Sequence, residues 1–373
     1  MKVLLYSHAF HPSTGGVETV SMALAEGFTR RGIECKVVTR TPRDPAQEFP
    51  FELIDNPRTA QIRALVRWAD VILFNGASLA LQPWVLLSRK PFLWVHVGYQ
   101  AGCIDGAGWH DNQRTPLTPW ASFLHHFKRD PLTGLRDGFK LLVRRIVATR
   151  LVTRNIAITQ WMDKALPLPR QVQIYNPFPT ERFAAIGDPA DAEFDFMFLG
   201  RLVPEKGVDT LIRAFAEVVR RHPHPVRLLI IGDGDRRGEL TQLAAAEGVG
   251  SSVVFAGQHR GDALARWVAK GRIAVLPSIW YEAMGGVSVE LMAAGRSLIV
   301  SALGGLAECM GTAGLVFPNG DAAALAACML RLLNDRALCA QQAALARPRA
   351  ACFAPEPFID QYVALLEQVT HRR

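Results

Sequence analysis

The stretch 2–40, KVLLYSHAFHPSTGGVETVSMALAEGFTRRGIECKVVTR, decides the fold. KVLLYS (2–7) is a short apolar run that ends in polar residues and a turn, HPSTGG. VETVSMALAEGFTRRG then places apolar residues at helical spacing and stops at Gly32, and CKVVTR (35–40) is a second short run. Strand, glycine loop, helix and strand make a βαβ unit, which implies a parallel sheet with helices on its faces. DVILFNG (70–76) and PFLWVHVG (91–98) continue the pattern. Ligands in such sheets bind beyond the carboxyl ends of the strands. Ser7, His8, Gly15, Gly16, Asn75, Gly76 and His96 all fall at such ends.

The pattern then restarts. FDFMFLGRL (194–202), VRLLIIGDG (226–234), SVVFAG (252–257), IAVLPS (273–278) and SLIVSA (297–302) alternate with helical runs. The proline-rich segment LPLPRQVQIYNPFPTERFAAIGDPADAE (166–193) suits a connection between domains. The expected fold class is therefore α/β, with two doubly wound domains near 1–180 and 190–355 and a last helical segment over 356–373. The stretch 99–135 fits no strand or helix well, and a loop of that length is usually functional or mobile.

Composition narrows the partners. The 373 residues are 49% hydrophobic and 20% charged, enough for a sizeable core and unlike a disordered chain. The opening apolar run is short and interrupted by His8 and His11, so it reads as a buried strand rather than a signal peptide. No apolar stretch is long enough to span a bilayer. The six cysteines have no metal-like or disulfide-like spacing and read as reduced thiols of a cytoplasmic protein. A net charge of +8 favours an anionic partner. Residues 128–154 interleave basic and apolar side chains. They are either a solvated helix face with a buried stripe or a surface that meets acidic lipid headgroups or an anionic acceptor.

Two motifs carry chemistry. GRLVPEKG (200–207) follows a strand, so Arg201 and Lys206 lie where an anion binds in such sheets. They are a diphosphate-holding pair or two exposed cations. In SIWYEAMGGVSVELMAAG (278–295) a strand ends at Ser278 and a helix runs from Gly286 to Ala294, with Gly295 as its stop. Glu282 then lies in the loop, while Glu290 sits about a turn inside the helix. Gly285 and Gly286 leave the first helical amides open to a phosphate. Glu290 can accept from paired hydroxyls such as those of a ribose. Asp233-Gly-Asp235 is nominally a metal motif, but its place after a strand reads as a turn.

These stretches together resemble the retaining GT-B glycosyltransferases of glycosyltransferase family 4. The resemblance is carried by E-x7-E after a strand and PS, by AAG and Gly304-Gly305-x-x-Glu308, and by GRLVPEKGVDTLIRAF. IIGDGDRRGELTQLA, the loop and helix of FHPSTGGVETVSMALAEGF, and ITQWMDKAL with IYNP extend it over nearly the whole chain, although Asn176 precedes proline where the family usually has glycine. The resemblance implies two Rossmann-like domains facing a central cleft, the first for the acceptor and the second for a nucleoside-diphosphate sugar. It implies Arg201 and Lys206 on the diphosphate, Glu290 on the ribose, and Glu282 on the donor sugar, with Gly285, Gly286 and Val287 completing the donor-binding set. Gly15 and Gly16, also of the donor-binding set, would approach the phosphates or the reacting centre from the first domain, and His96 would bond the transferred sugar or the acceptor. A histidine at a strand end is by itself ordinarily structural. The implied reaction is a same-face transfer with no cofactor and no metal, the cation pair neutralising the leaving group.

The implied acceptor is a glycan, glycolipid or lipid-linked molecule of surface polysaccharide or glycoconjugate synthesis. The enzyme would be cytoplasmic, with peripheral membrane contact through 128–154. A small-molecule acceptor, or an epimerase or phosphorylase of the same fold, is the alternative. A glycoside hydrolase also uses two carboxylates but leaves the Arg201/Lys206 loop unexplained. Nucleic acid is not an expected partner, because no aromatic RNA-binding motif accompanies the positive charge.

Overall fold

The computed structural model describes residues 1–12, 15–76, 81–187, 189 and 192–371. Ser13 and Thr14 of the expected HPSTGG turn, Asp188, Ala190 and Asp191 of the expected connection, and the last two residues lie outside the described set. The chain divides into two units. The first holds residues 1–110, 115–179 and 353–373, and the second 111–114 and 180–352.

The first unit begins β1 (Lys2–Ser7), α1 (Gly16–Arg30), β2 (Glu34–Thr39), β3 (Glu52–Asp55), α2 (Thr59–Trp68), β4 (Val71–Asn75), α3 (Gln82–Ser88) and β5 (Phe92–His96). After two-residue strands β6 (Trp109–His110) and β7 (Gln113–Arg114), the latter assigned to the second unit, come α4 (Pro119–Arg129), α5 (Pro131–Ile146), β8 (Arg154–Ala157), α6 (Gln160–Ala165) and β9 (Gln171–Gln173). The second unit runs α7 (Glu181–Ala184), β10 (Phe194–Leu199), α8 (Val208–Arg221), β11 (Leu228–Ile231), α9 (Arg237–Ala246), β12 (Val253–Gly257) and α10 (Gly261–Ala269). It continues with β13 (Gly271–Leu276), α11 (Gly286–Ala293), β14 (Ser297–Ser301), α12 (Gly305–Met310), β15 (Gly314–Phe317), α13 (Ala322–Asn334) and α14 (Arg336–Ala351). The final helix, α15 (Pro355–Thr370), belongs to the first unit.

Both sheets are parallel, in the orders β3-β2-β1-β4-β5-β8-β9 and β12-β11-β10-β13-β14-β15. A strand covered on both faces needs apolar side chains in both directions. That is why Val3–Tyr6 and Leu228–Ile231 are apolar and buried throughout. In each unit the order reverses direction once, between β1 and β4 and between β10 and β13, and such a switch point leaves a crevice at the strand ends.

Helix α15 packs on α1. A Cβ on Gly27 would lie 2.8 Å from Ile359 Cγ2, and Arg31 pairs with Asp360 at 2.6 Å. No disulfide joins any of the six cysteines. Among the described residues no helix is long and apolar enough to cross a membrane.

One expectation is corrected. The stretch 99–135 is not loop throughout, since α4 starts at Pro119 and α5 at Pro131. The remaining loop is gripped by Asp105, whose carboxylate accepts from Ala107 N (2.9 Å), Trp109 N (3.1 Å), Thr115 Oγ1 (2.6 Å) and His126 Nε2 (3.3 Å). Burial by itself would push the Asp105 carboxyl up, but these donors outweigh it and hold the carboxyl below its usual range.

Candidate functional site

In the second unit the GRLVPEKG loop leaves β10 and the 278–285 loop leaves β13, the two neighbouring strands at the switch point. Adjacency in the sheet therefore brings together residues 76 positions apart. Lys206 Nζ donates to Glu282 Oε2 at 2.7 Å. Trp280 Nε1 donates to the same oxygen at 2.9 Å and Ser278 Oγ at 3.2 Å. The Lys206 ammonium also lies 5.5 Å from the Trp280 ring. Three donors thus converge on Oε2, and Oε1 is the oxygen left to accept from a ligand hydroxyl. The two charged side chains are only 20% and 12% exposed. Burial alone would push the Glu282 carboxyl up. The Lys206 charge and the Trp280 and Ser278 hydrogen bonds outweigh it and hold the carboxyl below its ordinary value.

The backbone that presents Glu282 is stitched to the start of α12. Gly305 N donates to Glu282 O at 2.7 Å, and Glu282 and Gly304 form a parallel bridge. Gly304 has φ 93°, and a Cβ there would lie 2.6 Å from Glu282 N, so glycine is required by both conformation and space. Asn319 clamps the same region, donating to Ser278 O at 2.7 Å while accepting from Leu303 N at 2.8 Å.

The two expected cations differ in setting. Arg201 is 69% exposed and meets Glu205 at 3.5 Å, so it stands in solvent, whereas Lys206 is held by Glu282. Gly285 is the N-cap of α11, and Gly286 and Val287 form its first turn beside the Glu282 loop. Glu290 lies in the second turn of α11. Burial pushes its carboxyl up to about 7, against the opposing pull of the Arg182 charge. A carboxyl at that value is close to half protonated near neutral pH. Hydroxyls donating to it favour the anion, so affinity for a ribose-bearing ligand should rise between pH 6 and 8 and level off above, by up to about tenfold per pH unit. Glu290→Gln should flatten that slope in calorimetric titrations of a nucleoside diphosphate; an unchanged slope would remove Glu290 from the ligand.

Asp233, of the nominal metal motif, accepts from Gly234 N at 2.8 Å and pairs with Arg237 at 3.1 Å, as a turn residue does.

In the first unit, Ser7, Asn75 and His96 end β1, β4 and β5. Ser21 Oγ donates to Ser7 Oγ at 2.8 Å and Asn75 Nδ2 donates to Ser21 Oγ at 2.7 Å, tying α1 to both strand ends at the switch point. Gly15 caps α1, and a Cβ on Gly16 would meet open space. His96 is 1% exposed and stacks on Trp94 with ring centroids 4.8 Å apart. Its Nε2 lies 2.9 Å from Asn155 Oδ1, and Asn155 Nδ2 donates to Ala148 O and Pro169 O, both at 2.9 Å. Two carbonyls can only accept, which fixes the amide and makes His96 Nε2 the proton carrier. Burial lowers the His96 pKa to about 4, against the opposing effect of the Asn155 bond. Sequence reasoning gave no site role to Trp280, Ser278, Asn319 or Asn155. The first two lie inside the quoted 278–295 motif and were legible as neighbours of Glu282.

Comparisons with known proteins agree with this architecture. Residues 193–335 match the model of the family described as Glycosyl transferases group 1. An uncharacterized glycosyltransferase of Methanocaldococcus jannaschii is 42% identical over 118 residues, 32% of this chain and 30% of that protein. The D-inositol 3-phosphate glycosyltransferase of Streptomyces avermitilis is 32% identical over 204 residues, 51% of this chain and 43% of that protein. The chain thus spans less than half the length of these curated relatives. The crystal structure of Anabaena HepE in complex with UDP is similar across 99% of this chain and 100% of that one, with a TM-score of 0.76 at 22% identity. The fold is that of GT-B glycosyltransferase structures, and the segment that carries Arg201, Lys206, Glu282 and Glu290 is the one that matches the group 1 glycosyl transferase model.

Proposed function

We propose that the protein is a retaining glycosyltransferase that moves a sugar from a nucleoside-diphosphate sugar to a glycan, glycolipid or lipid-linked acceptor in cytoplasmic glycoconjugate synthesis. The observation that carries the reading is the Lys206–Glu282 pair at the switch point of the second unit, with Glu290 in the second turn of the helix that follows, inside the matched segment. Lys206 has a phosphate-binding charge within reach of a carboxylate that accepts hydroxyls, and Arg201 adds a second, solvent-facing cation. Together they neutralise a departing diphosphate without a metal ion.

Glu282 is engaged by three donors through one oxygen, which suits a group that orients a sugar through the other oxygen rather than a nucleophile. With no nucleophile in the proposed site, the acceptor hydroxyl attacks on the face that the diphosphate leaves. The leaving phosphate oxygen takes the hydroxyl proton, and positioning with charge neutralisation supplies the acceleration. Gly15 and Gly16 are donor-binding positions in this reading, and His96 offers its Nδ1 to a substrate hydroxyl.

The test is release of nucleoside diphosphate from a panel of sugar nucleotides with and without acceptor. Release that depends on acceptor is expected; release without acceptor would favour an epimerase or hydrolase. The product's anomeric configuration, read by NMR coupling constants, should match the donor's, and an inverted product would sink the same-face mechanism.

A further inference from the structure

Helix α5 carries an apolar stripe that faces solvent. Leu132, Leu135, Phe139, Leu142 and Ile146 are 82, 54, 66, 54 and 46% exposed. Their alternating spacing of three and four residues sets them along one side of the helix for its whole length, about 24 Å at 1.5 Å per residue. A different side of α5 meets α4. A Cβ on Gly134 would lie 2.7 Å from Phe127 Cα, and one on Gly138 would lie 2.7 Å from the Phe123 ring. Those two glycines let the helices approach closely and leave the leucine and phenylalanine row uncovered. Trp120 of α4 and Leu151 beyond α5 are exposed as well, so seven of the ten large hydrophobics that stand exposed among the described residues fall within 120–151. Scattered exposed side chains are ordinary, but a concentration of this kind marks a contact surface.

Charge selects the occupant. Residues 128–154 contain eight basic residues against two acidic ones. Arg136 and Lys140, both exposed, border the stripe and share the single Asp137 carboxylate at 3.0 and 2.7 Å. The residues that would flank the stripe in a helix pair are Arg136, Gly138, Val143 and Arg145, with no acidic member. A second copy of α5 would therefore set like charges against each other, which disfavours self-pairing. An anionic lipid surface satisfies both the stripe and its basic border.

We propose that α5 lies flat on an anionic membrane. The Leu132–Ile146 stripe enters the boundary of the acyl chains, and Arg136, Lys140 and Arg150 meet lipid phosphates. This assigns a membrane face to the transferase reading and rests on that reading for the identity of the acceptor. Lipid-linked acceptors then reach the enzyme in the plane of the membrane rather than from bulk solution.

The experiment is co-sedimentation of the full chain with vesicles of phosphatidylcholine alone and of an equal mixture of phosphatidylcholine and phosphatidylglycerol. Binding is expected only to the mixture, weakening with salt. It should fall about tenfold or more in the double variant Phe139→Ser/Leu142→Ser, and severalfold in Arg136→Gln/Lys140→Gln. All four positions are exposed, so the fold should persist, which the melting temperature checks. Absence of binding to the mixture at low salt, or binding that survives Phe139→Ser/Leu142→Ser, overturns the proposal. So does a dimer on size-exclusion chromatography that the same double variant splits, since the seam would then belong to a second copy. The same preparations are assayed for transfer to a water-soluble acceptor. Transfer without vesicle binding removes the docking alone, while vesicle binding without turnover of any sugar nucleotide removes the transferase reading alone.

Discussion

Lys206→Ala is expected to lower kcat/KM for the sugar nucleotide by about 100- to 1000-fold, the usual cost of deleting one preorganised charge-stabilising donor. Two effects add. In the proposed site the diphosphate would lose one of its two cations, and Glu282 loses the partner that lies 2.7 Å from its Oε2. Only Trp280 and Ser278 then oppose the burial that pushes the Glu282 carboxyl up. The sign is fixed by the direction of that shift. With Lys206 present the carboxyl titrates below its ordinary value, so it is ionised throughout the neutral range. Without Lys206 its pKa rises, and the acid limb of the kcat/KM profile should move to higher pH. Lys206→Arg keeps the charge but delivers it through a planar fork, and should recover only part of the rate. Calorimetry that found unchanged nucleoside-diphosphate affinity in Lys206→Ala, with an unmoved acid limb, would take Lys206 out of the donor site.

Gly304→Ala should be among the most damaging single-methyl changes near the site. At φ 93° an L side chain is strained, and the added Cβ would meet the Glu282 backbone, 2.6 Å from its nitrogen. Strain and overpacking together cost about 2–4 kcal/mol. For a unit of this size that corresponds to a fall in Tm of about 5–10 °C. Because the neighbour is backbone, relief requires the Glu282 peptide to move, so kcat should fall along with stability. Gly320→Ala is the control. Gly320 also has positive φ, at 80°, but its Cβ would find only Ile279 Cγ2 at 3.9 Å. Equal melting shifts for the two variants in scanning fluorimetry would show that conformation alone matters and that the stitch to Glu282 carries no load.

The parts of the fold that were legible are those whose environment demands continuous apolar sequence. β1, β4, β10 and β11 are buried on both faces and show it in their residues. β8 and β9, at one end of the first sheet, read RNIA and QVQ and were hidden by their polar content. In β8 that polarity has a use, since Asn155 grips both His96 and two backbone carbonyls. The periodicity of α5 was visible, but the same spacing suits a buried stripe and an exposed one. Only the glycine face turned toward α4 tells them apart. At the site, Lys206 and Glu282 were each recognisable from their local motifs. Their pairing was not, because it depends on β10 and β13 lying side by side after a crossover of more than 70 residues. Asn319 gave no signal at all, since its amide serves only to bridge two loops.

The Asn155 clamp also settles what His96 contributes to the proton inventory. With a pKa near 4 and its proton committed to Asn155, the imidazole stays neutral around neutral pH. Its buried Nδ1 has no hydrogen-bond partner among the described residues. The ring is therefore held as a neutral acceptor at Nδ1, and in the proposed transferase it would recognise a donor such as a hydroxyl rather than supply a proton.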